Sequence, residues 1–213
     1  MARSHTVAPM NESPRHLEGI AKEVHDRTGI ARPVDAFRLA QLCGLRVRFW
    51  SARHGKLDEK TIFVPASVRS TRQHRIVAHE VAHWLLRRGG CDDRDEDAAD
   101  YLALALMLLR EPFERDLAET EWNLFALLER HPNVSGQAMA VRMTHLSPCV
   151  ASIYDQGRRT ALYVGEGAFE DEHDGELADV ALEREVVVRD GMVAAYPIID
   201  GRHRRVVVVR RAA

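Results

Sequence analysis

The chain has 213 residues, 46% of them hydrophobic, with 30 Lys and Arg against 32 Asp and Glu for a formal net charge of -2. That much apolar material argues against a disordered chain, and the near-zero charge gives no general electrostatic case for nucleic acid or an anionic membrane as partner. Three cysteines, Cys43, Cys91 and Cys149, are odd in number and widely spaced, which argues against a disulfide scaffold or a cysteine zinc site and for a reducing compartment.

Residues 1–14 read as a polar, frayed tail without the apolar core of a signal peptide. Leu17, Ile20, Ala21 and Val24 recur at helical spacing and predict a first helix ending near Gly29. A second helix runs through Val34, Phe37, Leu39, Ala40 and Leu42, with Pro33 near its first turn and Gly44 after its end. Leu45, Val47 and Phe49 alternate with Arg46 and Arg48, the period of a half-exposed strand over 45–50. Thr61-Ile62-Phe63-Val64 predicts another strand, stopped by Pro65. An exposed edge of such a sheet can pair with an extended peptide; the sequence leaves open whether either strand is an edge or both simply cover the helices.

The stretch Arg75 to Leu86 reads as a helix and contains His79-Glu80-Val81-Ala82-His83. A spacing of four puts both imidazoles on one face, where they can hold one cation, and Glu80 then stands beside a water it can deprotonate. The bland alternative is two solvated histidines on an amphipathic helix. The flanking Ile76, Val77, Val81, Trp84, Leu85 and Leu86 count against it, because they leave only a narrow polar stripe. Buried, unpaired imidazoles and carboxylates cost about 1–3 kcal/mol each, and a metal would satisfy them. Gly89-Gly90 ends this helix. Asp92 to Asp95 then offers N-caps for an Ala- and Leu-rich helix from about Asp95 to Leu109. Glu96 and Asp100 share a face of it: Glu96 supplies a third ligand, and Asp100 can orient a ligating histidine through its other ring nitrogen.

Further on, Pro112 begins a helix that runs through Phe113, Leu117, Trp122, Leu124 and Leu128 to a break at His131-Pro132-Asn133. Ser135 caps a shorter helix through Ala138, Ala140, Val141 and Met143. Segment 113–145 thus resembles a helix-turn-helix, but it offers little more than Gln137 and Arg142 to a phosphate backbone, so direct nucleic-acid binding is disfavoured against a packing role. From Pro148 the texture becomes β-rich. Strands at 150–154 and 160–164 predict a hairpin, residues 166–185 an acidic solvated loop with some helix, 185–188 and 193–196 a second hairpin around Asp190-Gly191, and 204–210 a last strand. No run approaches the roughly twenty apolar residues of a membrane span, and a cytoplasmic location is expected.

The block Gln73 to Leu86, followed by Glu96-Asp97-Ala98-Ala99-Asp100-Tyr101-Leu102-Ala103, resembles the ImmA/IrrE metallopeptidase family over roughly residues 17–145. In that family a glutamate at the position of Glu96 looks to be the third zinc ligand; Asp100 replaces the usual Asn, and Leu106-Met107-Leu108-Leu109 departs from the usual Leu-Leu-Met-Pro. The resemblance implies a mainly helical zincin-like metallopeptidase domain with a small β-sheet over 1–147; with the small antiparallel β-rich region that the change of texture predicts over 148–213, the expected fold class is α+β. The resemblance also implies one Zn2+ per chain and a protein substrate, a repressor-type transcription regulator. The roles expected are His79, His83 and Glu96 as metal ligands, Glu80 as catalytic base and Asp100 behind a ligand. Zinc is favoured over iron because Glu80 directly follows His79. Tyr101, His145 and Tyr154 are candidate oxyanion donors, each with a structural role as the simpler reading. Cys91 could reach the open metal position as a redox-sensitive inhibitor or be a plain thiol. Two rival functions stay open: a non-catalytic regulatory protein with structural zinc, and DNA binding through 113–145.

Overall fold

The computed structural model describes residues 3–5, 12–168, 174–200 and 203–212. In chain order its elements begin with β1 (Arg3–His5), α1 (Pro14–Thr28), α2 (Ala36–Leu42), β2 (Arg46–Trp50), β3 (Lys56–Asp58), β4 (Thr61–Pro65) and α3 (Ser70–Gly89). There follow α4 (Glu96–Met107), α5 (Arg110–Glu119), α6 (Leu124–Arg130), α7 (Gly136–Leu146), β5 (Cys149–Asp155) and β6 (Arg158–Val164). The last are α8 (Asp174–Arg184), β7 (Val188–Asp190), β8 (Val193–Asp200) and β9 (His203–Arg211). The protein is an α+β chain, mainly helical before Cys149 and β-rich after it. No described helix is long and apolar enough to cross a membrane.

The chain divides into two compact units, the first being Pro9–Trp122 with Ala126–Ser135. Its helices are framed by local chemistry. Ser13 caps α1 by accepting from the His16 amide, and Gly29 closes it in the left-handed conformation at φ 60°. Asp35 caps α2 and Asp95 caps α4, and Gly90 ends α3 at φ 76°. Val77, Ala78, Val81, Ala82, Leu85 and Leu86 form the buried stripe of α3, which packs on α2, α4 and β4. Leu17, Leu39, Ile62, Leu102 and Leu106 are fully buried in the same core, and the ring of His25 ties α1 to the Leu106 carbonyl at 2.7 Å.

The small sheet has the order β2-β4-β3, with β2 parallel and β3 antiparallel to β4, so β2 and β3 are both edges. Sequence periodicity does not expose β3, whose three residues are too few to alternate. The single helix expected from Pro112 to Leu128 is instead two, α5 and α6. The backbone reverses through left-handed Glu121 and Trp122 at φ 50° and 63°, and the Asn123 side chain accepts from the Phe125 amide to start α6.

The second unit comprises Met1–Ala8, Asn123–Phe125 and Gly136–Ala213. Its sheet has the order β1-β6-β5-β9-β8-β7, antiparallel throughout except that β1 joins β6 in parallel. The expected frayed tail is therefore corrected at Arg3–His5, which is a strand; residues 1–2 and 6–11 of that expectation lie outside the described residues. Within 166–185 the described residues hold α8, whose Ala178 and Ala181 are buried with Val193, Ala195, Val206 and Val208; residues 169–173 are not described. In α7, Arg142 is fully buried. Gln137 donates to the Tyr163 hydroxyl at 3.1 Å and accepts from Arg205 at 3.3 Å. Of the two side chains that the helix-turn-helix reading offered to phosphates, Arg142 is thus withdrawn from solvent and Gln137 is engaged within the unit.

Asp174 opens α8 with only 2% of its side chain exposed and accepts from Arg210 at 2.6 Å and from Ser152 at 3.4 Å. Removing one partner of a largely buried ion pair is costly. Asp174→Ala should lower stability by about 3 kcal/mol, read as a lowered midpoint in urea unfolding; a loss no larger than that of a surface Asp→Ala control would show the pair to be dispensable.

Candidate metal centre

Helix α3 presents His79 and His83 one turn apart, their rings nearly perpendicular at 83° with centroids 4.5 Å apart. Their Nε2 atoms approach to 2.9 Å. The next helix supplies the third group. Asp95 accepts the Ala98 amide at 2.9 Å and fixes the start of α4, so Glu96 is its first residue. The Glu96 carboxylate reaches to 3.2 Å from His79 Nε2 and 3.7 Å from His83 Nε2.

Each imidazole is held from behind. His79 Nδ1 lies 2.9 Å from Asp100 Oδ1, and His83 Nδ1 lies 2.8 Å from the Asp93 carbonyl. A carbonyl oxygen and an ionised carboxylate only accept, so both Nδ1 atoms carry hydrogen. Each neutral ring is then left with a bare Nε2 lone pair, and the two lone pairs point at each other across 2.9 Å. That arrangement is repulsive unless a proton on one Nε2 or a metal ion sits between them. Tetrahedral zinc with bonds of about 2.0–2.1 Å wants donors about 3.3 Å apart, and the three separations here bracket that value. The donor set fits zinc.

The electrostatics follow from burial and neighbours. Burial disfavours an imidazolium at His79, but the Asp100 hydrogen bond and the charges of Asp100, Glu80 and Glu96 outweigh it and raise its pKa above the ordinary 6.5. Burial likewise opposes ionisation of Asp100, yet His79 and Arg75 lower its pKa, with the Arg75 guanidinium 3.3 Å away. For Glu80 burial prevails and its pKa is raised, although His79, His83 and the Leu57 amide pull the other way. Leu57 is in β3, so that edge strand runs beside the Glu80 carboxylate. At Gly55 a side chain would collide with Ile76 Cγ2 and stand 3.2 Å from Glu80 Oε1; only a bare backbone lets the strand come so close.

The structure thus brings together His79, His83, Glu96, Glu80 and Asp100, the five residues singled out from sequence. It also shows participants that were missed: Arg75 behind Asp100, the Asp93 carbonyl behind His83, and Gly55 with Leu57 beside Glu80. Arg75, four residues before His79, could have been found from helical spacing; the backbone groups leave no sequence signal. Tyr101 is buried with its hydroxyl donating to Glu18 at 2.8 Å, and His145 and Tyr154 belong to the other unit. Cys91 has His16 as its neighbour, at 3.7 Å.

Two histidines one helical turn apart, an intervening glutamate and a carboxylate from the following helix are the arrangement of zinc metallopeptidases. The chain matches the IrrE N-terminal-like domain, a peptidase family, over residues 36–144, just over half its length. It belongs to that family, as the resemblance implied. No curated protein matches it. Among solved structures, a Mycobacterium tuberculosis transcriptional regulator shares the fold with a TM-score of 0.71 at 16% identity, over 92% of this chain and 76% of its own.

Removing the charge behind His79 should loosen the ion. In Asp100→Asn, zinc affinity should fall about 10–100-fold, measured by competition with a chromogenic chelator; an unchanged affinity would rule out the proposed orienting role. Protons would compete with a zinc ion held at His79. Because its metal-free pKa is raised above 6.5, wild-type affinity should be flat at high pH and fall as pH drops through neutrality, by up to about tenfold per unit for each competing proton. Affinity constant from pH 8 to 6 would contradict this.

Proposed function

We propose that the chain is a zinc-dependent endopeptidase whose substrate is a protein, a repressor-type regulator of transcription. The observation that carries the reading is the convergence of His79, His83 and Glu96 on one point, with the Glu80 carboxylate beside it and an edge strand alongside. His79, His83 and Glu96 would hold one zinc ion, with Asp100 and the Asp93 carbonyl keeping both rings turned toward it. When bound, zinc supplies Lewis acidity that polarises a carbonyl and makes hydroxide available near neutral pH.

The protein groups do the rest. Glu80 accepts the proton of the attacking water on its carboxylate and delivers it to the departing amine. Its raised pKa suits both halves of that transfer, since an ordinary carboxylate is a poor acid at neutral pH. β3 is an unpartnered edge within its sheet, and an extended substrate backbone can pair with it as an added strand, bringing a peptide bond to Glu80. Endopeptidase action on a macromolecule accords with an open site: the Glu96 side chain is 73% exposed. The transcription regulator as substrate rests on the family resemblance, and the fold shared with a transcriptional regulator is compatible with it. Direct nucleic-acid binding is not part of this proposal.

Structural zinc in a non-catalytic regulatory protein is the rival reading, and it requires a closed coordination sphere. Three donors converge here, among the described residues. One pair of variants separates the two. Glu80→Gln should keep its zinc and fold while losing cleavage of the cognate regulator by at least about 100-fold, and His83→Ala should lose both metal and cleavage. Full processing by Glu80→Gln would end the peptidase proposal.

A further inference from the structure

A second set of side chains outside this centre brings three different donor atoms within 4.8 Å of one another: Glu12, His16 and Cys91. Cys91 Sγ and Glu12 Oε2 each lie 3.7 Å from the same nitrogen, His16 Nε2. For the carboxylate this exceeds hydrogen-bond reach. It is close to what a shared ion requires: with Zn–S of about 2.3 Å and Zn–N or Zn–O of about 2.0–2.2 Å, tetrahedral donors stand about 3.4–3.6 Å apart. The groups come from segments 75 residues apart. Glu12 directly precedes the Ser13 cap of α1, His16 lies in the first turn of that helix, and Cys91 follows the Gly90 that ends α3. A thiolate, an imidazole and a carboxylate form a borderline-soft set that selects zinc, cobalt or nickel over magnesium or calcium. The carbonyl end of the long helix α3 also favours a cation.

The location gives the site a consequence. The Cys91 amide bonds the Leu86 carbonyl at 3.0 Å, and two residues later the Asp93 carbonyl holds His83 Nδ1. We propose that Glu12, His16 and Cys91 form a second transition-metal site, taking a zinc-like divalent ion, which fastens the start of α1 to the α3–α4 turn and thereby steadies the carbonyl that orients His83. The metal-free thiol has its pKa raised by burial and by Glu12, so binding releases the Cys91 proton to solvent as the metal–sulfur bond forms. This site stands on its own atoms, and only its coupling to His83 refers to the other centre.

The test strips the full chain of metal and titrates it with Co(II), following stoichiometry and the near-ultraviolet charge-transfer band of a cobalt–thiolate bond. Wild type should bind two equivalents, one carrying the thiolate band. Cys91→Ser and His16→Ala should each bind one, without the band, while His79→Ala should keep the band and lose the other equivalent. A single wild-type equivalent that carries the band would uphold this site and remove the proposed catalytic one. Binding without the band, or undiminished stoichiometry in both Cys91→Ser and His16→Ala, would overturn it. The coupling is checked separately: zinc affinity at the His79–His83 centre should fall about fivefold or more in Cys91→Ser, and an unchanged affinity would overturn that part.

Discussion

Two imidazole lone pairs are made to face each other, and the metal centre depends on that constraint. Neither ring can relieve it by changing tautomer, because the hydrogen on each Nδ1 is committed to an acceptor that cannot donate: the Asp100 carboxylate for His79 and the Asp93 carbonyl for His83. Turning either ring would leave a partly buried polar group without its partner, a cost of about 1–3 kcal/mol. The protein therefore holds the donors of a cation site in place before any cation arrives. Such preorganisation is what lets three protein ligands hold an ion and still leave a coordination position open.

The rest of the first unit can be understood as support for that constraint. The buried stripe of α3 pins the helix so that its polar edge cannot rotate, and the Asp95 cap sets the start of α4 so that Glu96 faces the two rings. His79 and Arg75 together lower the pKa of Asp100 against the effect of its burial. Gly55 admits β3 to the side of Glu80, where the Leu57 amide steadies the carboxylate while burial keeps its pKa high. Those two influences on Glu80 oppose each other, and burial wins. In the proposed mechanism, where Glu80 would take up a proton and then release it, that balance would serve both steps.

The turn between α3 and α4 carries more than a connection. Within six residues it contains the Gly90 helix stop, Cys91, the Asp93 carbonyl behind His83, and the Asp95 cap that places Glu96. Arg87 holds the Asp93 side chain at 2.6 Å. A short segment with so many positioning roles is the natural place for the proposed second ion to act on the proposed first.

Much of this was legible in the sequence because it is local. The spacing of His79, Glu80 and His83 follows from the helical period alone, and Glu96 and Asp100 share a face for the same reason. Asp95, Gly29 and Gly90 mark helix ends by the conformations and hydrogen bonds their own atoms permit, whereas the sequence reading does not use the Ser13 and Asp35 caps and starts α2 near Pro33, when the helix in fact begins at Ala36. What only the tertiary structure decided is contact between distant segments and contact through the backbone. The edge position of β3 and its approach to Glu80 depend on pairing with β4. The roles of the Asp93 carbonyl and the Leu57 amide involve atoms that every residue possesses, so no residue type announces them. The neighbourhood of Cys91 likewise depends on how α1 packs, and the strand Arg3–His5 depends on a partner more than 150 residues away. Periodicity reports which face a residue occupies; it carries no information about what that face will meet.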